Sequence, residues 1–224
     1  MEKKIVIKEC LSFGWETFKK RPGLFVVTTL IMFAVTASVS IVESLLGIPN
    51  DATTAQNIGS LISEILSVFM SMGIVALYLH AHDDVKEVSL KELWQPKYFW
   101  TFLGMTIVMT IAILLGFVAL IIPGIILSIA FAFSGQLVIE RGLGPIASLK
   151  ESMRLTKGHR MSLFGLGLAT LLLNFLGILV LFIGVFVTIP VTNLALVHAY
   201  RKIAGSAPEE ESVLVPEPSE ILAA

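Results

Sequence analysis

Residues 99–139 have the sequence FWTFLGMTIVMTIAILLGFVALIIPGIILSIAFAFSGQLVI, in which no Lys, Arg, Asp or Glu occurs. At a rise of ~1.5 Å per residue, a helix of this length would cross a ~30 Å hydrocarbon layer twice. The middle of the stretch is IIPGI, Ile121–Ile125, where a proline opens a new helix at no cost in hydrogen bonds. The stretch therefore predicts a tight hairpin between two membrane spans, Phe99–Ile121 and Gly124–Ile139.

Further apolar runs lie on both sides of this pair. They predict four more spans: Leu24–Leu46, Ile58–His80, Met161–Phe182 and Val185–Ile203. Of the 224 residues, 55% are hydrophobic and 15% are charged, whereas soluble domains contain roughly one-quarter charged residues. We therefore expect an all-α, polytopic membrane helical bundle of six transmembrane helices in three hairpins.

The basic residues predict the orientation of this bundle. All sixteen Lys and Arg residues fall in segments on one side of the six spans, at positions 3, 4, 8, 19–21, 86, 91, 97, 141, 150, 154, 157, 160, 201 and 202. Every Trp and Tyr also lies at a predicted span end on that side: Trp15, Tyr78, Trp94, Tyr98, Trp100 and Tyr200. Because basic residues near span ends stay in the cytoplasm, we expect a cell (inner) membrane protein with both termini cytoplasmic.

The membrane domain, residues 1–205, resembles three copies of one unit, at about 1–80, 86–140 and 144–204. Each copy is predicted to begin with a short amphipathic interfacial helix whose apolar face contacts lipid. The apolar stripes are Ile7, Leu11, Trp15 and Phe18 in the first copy, Leu93 and Trp94 in the second, and Ile146, Leu149 and Met153 in the third. In the second copy, Ser89 and Glu92 have the spacing of a capping box. Residues 206–224 carry five Glu, three Pro and no basic residue, and predict a disordered acidic cytoplasmic tail.

Five polar residues form a candidate intramembrane cluster: Glu43, Glu64, Ser67, Ser71 and Asn174. A carboxylate inside hydrocarbon is costly, so Glu43 and Glu64 should face protein or water. They would form either a proton or cation site, or a pair that reaches the outer headgroups. The second interpretation is favoured, because neither Glu lies near the predicted midplane. Asn174 lies on a face of small residues, which favours helix packing over a shared cavity.

The sequence contains no motif that would support catalysis. Phosphate-binding glycine loops, HExxH and GxSxG are absent, so we expect no enzyme and no cofactor. Cys10 is the only cysteine, which excludes an intramolecular disulfide. The cluster His80, His82, Asp83 and Asp84 lacks a specific metal spacing, and we expect no metal site. A net charge of −1 argues against nucleic acid as a partner.

Two segments carry a family resemblance. They are FGWETFKKRPGLF, residues 13–25, and the run from IIPGI through LVIERGLGPIASLKESMRLTKGHRMSLFGL within residues 121–168. These segments resemble a group of bacterial and archaeal membrane proteins that includes the membrane domain attached to some glycerophosphoryl diester phosphodiesterases. The resemblance implies a membrane module without the catalytic domain, and it carries over no catalytic residue. The interfacial motif residues are Trp15, Lys19, Trp94, Glu140, Ser152, Thr156, Lys157 and Gly158.

These observations predict a non-catalytic membrane scaffold or partner-binding module. Its partners would be the lipid bilayer and either another membrane protein or a second copy of the chain. The alternative is a small transporter or lipid-handling channel that uses a polar cavity between spans one, two and five.

Overall fold

The computed structural model describes residues 5–45, 53–180 and 183–205, with side chains except at 36, 39, 40, 42–45 and 53–62. Within these ranges every regular element is helical. The α-helices are α1 (Ile7–Lys20), α2 (Pro22–Leu45), α3 (Thr53–Asp83), α4 (Phe99–Ala119), α5 (Ile121–Ala130), α6 (Ser134–Arg141), α7 (Pro145–Thr156), α8 (Arg160–Leu179) and α9 (Val185–Ala204). The predicted acidic tail, residues 206–224, lies outside the described residues.

Four stretches of the described chain are long and apolar enough to cross a membrane. They are Ser63–Asp83, Leu90–Ala119, Ile121–Arg141 and Arg160–Leu179. The described apolar part of α2, Pro22–Val35, is shorter, and α9 is not among the four. The structure therefore supports an all-helical protein with four candidate spans, and the sixfold crossing stays a prediction.

Helix α9 is the buried centre of the bundle. It packs against α1, α2, α3, α7 and α8, and half of its residues are buried: Val185, Pro190, Val191, Thr192, Leu194, Ala195, Val197, Ala199, Tyr200 and Ile203. It also carries an asparagine, a histidine and two threonines, which would be costly to expose to hydrocarbon. Packing this helix inside the protein removes that cost.

Helix α1 buries a face made mostly of small residues, together with Phe18 from the stripe that was predicted to contact lipid. The buried residues are Cys10, Gly14, Thr17 and Phe18, whereas Trp15 is 46% exposed. A Cβ atom built on Gly14 would lie 2.3 Å from the carbonyl oxygen of Val191 on α9. The large apolar residues predicted a lipid-facing stripe, but small residues decide the packing because they allow the two backbones to touch.

The predicted fourth span is interrupted. We expected one helix over Gly124–Ile139, but α5 begins at Ile121 and ends at Ala130, and α6 begins only at Ser134. The turn before α5 is at Leu120, whose backbone is extended. Across this turn α4 and α5 pack closely, and a Cβ atom on Gly116 would lie 3.1 Å from the Cα atom of Gly124.

The segment that precedes α4 is not an amphipathic α-helix. It consists of two short 3₁₀ turns, Leu90–Leu93 and Pro96–Tyr98. The predicted capping box is wrong, because the Ser89 side chain makes no cap hydrogen bond and Glu92 pairs instead with His80, at 2.7 Å between Oε2 and Nδ1. We call residues 84–98 the α3–α4 linker. Its Leu93 backbone lies against Gly73 of α3, where a Cβ atom would be 2.3 Å from the Leu93 oxygen.

Helix α7 turns its buried face toward protein. The buried residues are Ser148, Leu149, Ser152, Leu155 and Thr156. From the predicted apolar stripe, Ile146 and Met153 are 59% and 38% exposed, while Leu149 joins a core cluster with residues of α3, α4 and α6. One residue of the stripe, Leu149, therefore contacts protein, and the other two are exposed. The expectation that the whole apolar face contacts lipid is wrong for α7.

Candidate functional site

The C-terminal end of α9 carries a set of ion pairs that joins four helices. We call Glu9, Asp83, Glu140, Tyr200, Arg201 and Lys202 the α9 ion-pair network. Arg201 pairs with Asp83 of α3 at 2.6 Å between Nη2 and Oδ2, and also with Glu140 of α6. The Tyr200 hydroxyl donates to the same Glu140 carboxylate. Lys202 pairs with Glu9 of α1 at 2.5 Å between Nζ and Oε2. Residues that are far apart in sequence thereby fix the ends of α1, α3 and α6 to α9.

The pairs of this network differ in their exposure. The Arg201 and Glu140 side chains are 28% and 25% exposed, so their attraction is only partly screened by solvent. Glu9 is half-exposed, and the hydrogen bond from Lys202 holds the pKa of Glu9 below its ordinary value. Each of these carboxylates has a cationic partner. These pairs hold the ends of the four helices together.

Arg21 strengthens the same end of the bundle. Its Nη1 atom donates to the carbonyl oxygens of Val85, Lys86 and Val88, at 3.2, 2.9 and 2.7 Å. The guanidinium thus supplies donors to backbone carbonyls that follow the end of α3. The start of α2 is fixed to the α3–α4 linker in this way.

His80 and His82 are neighbours in the sequence, but their side chains contact different parts of the protein. His82 contacts His198 of α9, at 3.2 Å between Nε2 and Nδ1, while His80 contacts Glu92. The Phe13 ring packs on both His82 and His198, with ring centroids 4.7 and 4.2 Å away. Within the described part of the chain, no group of three or more His, Cys, Asp or Glu side chains could hold a metal ion.

The candidate intramembrane polar residues do not form one cluster among the described side chains. Glu64 and Ser71 are exposed and Ser67 is half-buried. Asn174 donates from Nδ2 to the Thr192 hydroxyl of α9, at 3.3 Å. The side chain of Glu43 lies outside the described residues. The contact between Asn174 and Thr192 joins α8 to α9. It does not involve Glu64.

Ser152 and Thr156 of the interfacial motif stabilise the break between α5 and α6. The buried Ser152 hydroxyl donates to the Ala130 carbonyl at 2.8 Å and accepts from the Phe133 backbone N–H at 3.2 Å. Thr156 donates to the Ser152 carbonyl at 2.8 Å and lies 3.4 Å from the Ala130 oxygen. These hydroxyls replace backbone hydrogen bonds that the interruption removes. The sequence 131–133 is FAF, without Gly or Pro, so it gives no signal of the break.

The other motif residues lie at the protein surface. Lys157 is exposed, and Gly158 has a φ of +90°, which only glycine adopts freely, just after α7 ends. Lys19 lies over the Trp15 ring, 5.8 Å from its centroid. Trp94 is 70% exposed, with its ring 5.0 Å from that of Phe69. These positions suit residues at a membrane surface, where amphipathic rings and long cations are favourable.

A groove that the sequence analysis missed lies between α2, α3 and the α3–α4 linker. We call it the apolar groove; its volume is about 790 Å³ and every residue that lines it is apolar. Val35 of α2, Phe69 of α3, Leu93 and Trp94 of the linker, and Trp100 of α4 are among these residues. In a chain with so many apolar residues, no sequence pattern separates a groove wall from ordinary lipid-facing surface.

Comparison with known proteins gives a family and relatives. The family described as Domain of unknown function (DUF7847) matches residues 88–217. Two similar proteins are the Uncharacterized protein Rv2560 of Mycobacterium tuberculosis and the Uncharacterized protein Mb2590 of Mycobacterium bovis. Each is 26% identical over an alignment that covers 89% of this chain and 69% of the relative. No solved structure matches the chain.

Proposed function

This chain belongs to the family Domain of unknown function (DUF7847), and from that premise we propose that it acts as a non-catalytic membrane scaffold or partner-binding module. One observation supports the proposal most: the charged residues at the end of α9 pair with one another across four helices. Such pairing stabilises an assembly of helices. The sequence also contains no phosphate-binding glycine loop, HExxH or GxSxG motif, which supports the non-catalytic part of the proposal.

The proposal includes six crossings with both termini in the cytoplasm, built from three hairpins. Arg21 contacts the α3–α4 linker, and Arg201 and Lys202 contact α3 and α1. These contacts bring basic residues from distant parts of the chain to one end of the bundle. This is the arrangement that the positive-inside rule favours. The resemblance to the phosphodiesterase membrane domain stays a prediction.

Cysteine labelling tests this topology. In a Cys10→Ala background, Asp51→Cys and Lys86→Cys would be treated with a membrane-impermeant maleimide, in intact cells and after lysis. We expect the cysteine at position 51 to react in intact cells and the one at 86 to react only after lysis. The opposite pattern, or equal labelling in intact cells, would contradict the orientation.

Photo-crosslinking tests the scaffold role itself. Ile111 of α4 and Leu172 of α8 are matched probe positions, being 54% and 55% exposed on helices with large exposed apolar surfaces. A photoreactive amino acid at each position would be activated in native membranes. We expect a protein adduct of reproducible mass at one position but not at the other. If both positions give lipid adducts alone, the chain has no stable partner on these faces.

A lipid-handling role is the second candidate, and the apolar groove favours it. The transporter form of this alternative relied on a polar cavity shared by Glu43, Glu64 and Asn174. Glu64→Gln in a reconstituted lipid-translocation assay separates the two forms. Loss of translocation in a folded variant would support a role for the carboxylate. If Glu64→Gln translocates lipid as well as the unmodified protein does, lipid handling would depend on the groove and not on the carboxylate. If the unmodified protein translocates no lipid, this candidate function is rejected.

A further inference from the structure

We infer that the apolar groove binds one acyl chain of an anionic phospholipid, whose phosphate contacts Lys91 and Lys97. The inference rests on the lipid-handling candidate above and names its ligand. Apolar side chains form nearly all of the groove walls, so the buried part of the ligand must be hydrocarbon. A polar or charged ligand would lose its hydration there without gaining a hydrogen bond.

The groove has room for part of one lipid tail. On α2 it is lined by Ile31 and Val35, and at the linker by Leu90, Leu93 and Trp94. Ile31 and Val35 are about 6 Å apart along α2, at ~1.5 Å per residue. The tails of one leaflet span about half of a ~30 Å hydrocarbon core, or ~15 Å. A segment of a single acyl chain can therefore lie between the linker and these two residues of α2.

The linker end of the groove has the character of a headgroup site. Trp94 and Trp100 line this end and are 70% and 79% exposed. Tryptophan is enriched at the headgroup level because its ring is apolar and its N–H is polar. Two aromatic side chains thus mark the level at which a bound lipid would pass from tail to headgroup.

Charge at this end selects an anionic headgroup. Lys91 follows the lining residue Leu90, Lys97 follows Pro96, and both lysines are exposed. The nearby carboxylate of Glu92 lies 2.7 Å from His80 of α3, between Oε2 and Nδ1, so it is held against α3. Near a membrane surface each lysine favours anionic over zwitterionic lipid by roughly fivefold.

The fluorescence of two tryptophans provides the test. In a Trp15→Phe variant, Trp94 and Trp100 are the remaining tryptophans, and brominated acyl chains quench a tryptophan on contact. The protein would be reconstituted in vesicles with increasing fractions of brominated phosphatidylglycerol or brominated phosphatidylcholine. We expect phosphatidylglycerol to quench with at least a fivefold higher apparent affinity. Lys91→Gln with Lys97→Gln should remove this preference.

A second variant separates the groove from the general lipid surface. Val35→Phe should narrow the groove and weaken phosphatidylglycerol quenching severalfold, whereas Leu172→Phe, at a comparable apolar surface on α8, should leave it unchanged. Equal quenching by the two lipids, or a preference that persists in Val35→Phe, would overturn the inference. So would resistance of both tryptophans to either lipid, which would indicate that protein covers the groove. If the protein prefers phosphatidylglycerol but translocates no lipid, the result would support the binding site and reject the lipid-handling role.

Discussion

Ser152→Ala tests the explanation of the interrupted helix most directly. The Ser152 side chain is fully buried and serves two backbone groups at once, the Ala130 carbonyl and the Phe133 N–H. Alanine keeps the helical propensity of α7 and removes only the hydroxyl. The substitution therefore leaves two buried backbone groups at the break with fewer partners, while the apolar packing around them is unchanged.

The cost follows from those two groups. A buried donor or acceptor left without a partner costs about 1–3 kcal/mol. Phe133 N–H would lose its hydroxyl partner, whereas Ala130 O would retain a weaker contact with Thr156 at 3.4 Å. We therefore expect a loss of about 2–4 kcal/mol in the free energy of unfolding. At about 2–4 °C per kcal/mol for a chain of this size, Tm should fall by roughly 4–16 °C.

Ser148→Ala is the matched control. Ser148 lies on the same helix and is also fully buried, but its hydroxyl donates to Pro145 O in the first turn of α7 itself. Its loss should change the free energy of unfolding by less than about 1 kcal/mol. Thermal unfolding of both variants in one mild detergent, followed by tryptophan fluorescence, measures the difference.

The comparison between the two variants is decisive. Equal Tm values for Ser152→Ala and Ser148→Ala would refute the claim that the Ser152 hydroxyl stabilises the break. A large loss in both variants would refute it too, because the effect would then belong to any hydroxyl on α7. Only a selective loss at Ser152 agrees with the two hydrogen bonds that the structure shows.

Three further predictions use the same unfolding assay. Gly14→Ala should lower the free energy of unfolding by about 1–3 kcal/mol, because the added methyl group forces α1 away from α9. Gly167→Ala should raise it by up to ~1 kcal/mol, because the space for a Cβ atom there is open. Equal effects of the two variants would refute the close contact between α1 and α9. Arg201→Gln should lower the free energy of unfolding by about 1–3 kcal/mol. Lys202→Gln should lower it by less, because its partner Glu9 is half-exposed; the reverse order would contradict the network. The Lys202 contribution should be present at neutral pH and be lost as pH falls through the lowered pKa of Glu9, so a Lys202→Gln effect that persists in acid would be inconsistent with it.

Sequence patterns located the helix ends better than the helix contacts. Helix α4 begins at Phe99 as predicted and α8 begins one residue before the predicted Met161, because a change from charged to apolar residues marks these boundaries. The break after Ala130 has no such mark. The partner that repairs it, Ser152, lies 22 residues later in the chain, and spacing within one helix cannot indicate a contact of that range.

For the candidate site too, the sequence indicated some of the important residues but not the surfaces that they contact. The family resemblance selected Glu140, Ser152 and Thr156, and all three make polar contacts that join separate helices. The apolar groove was not predicted, because in a bilayer the residues that face lipid and those that face protein are equally apolar. A polar residue in a predicted span is informative only if its partner is also known, as the contact between Asn174 and Thr192 illustrates.

The central position of α9 explains why the two ends of the described chain depend on each other. Glu9 and Lys202 are 193 residues apart and form an ion pair, and Gly14 contacts the α9 backbone at Val191. The first helix therefore obtains its main partner only when the last one is in place. Because α9 is too polar to be favourable among lipid tails, its burial and the closure of the bundle stabilise each other. The α9 ion-pair network completes that closure, because it joins the C-terminal end of α9 to α1, α3 and α6.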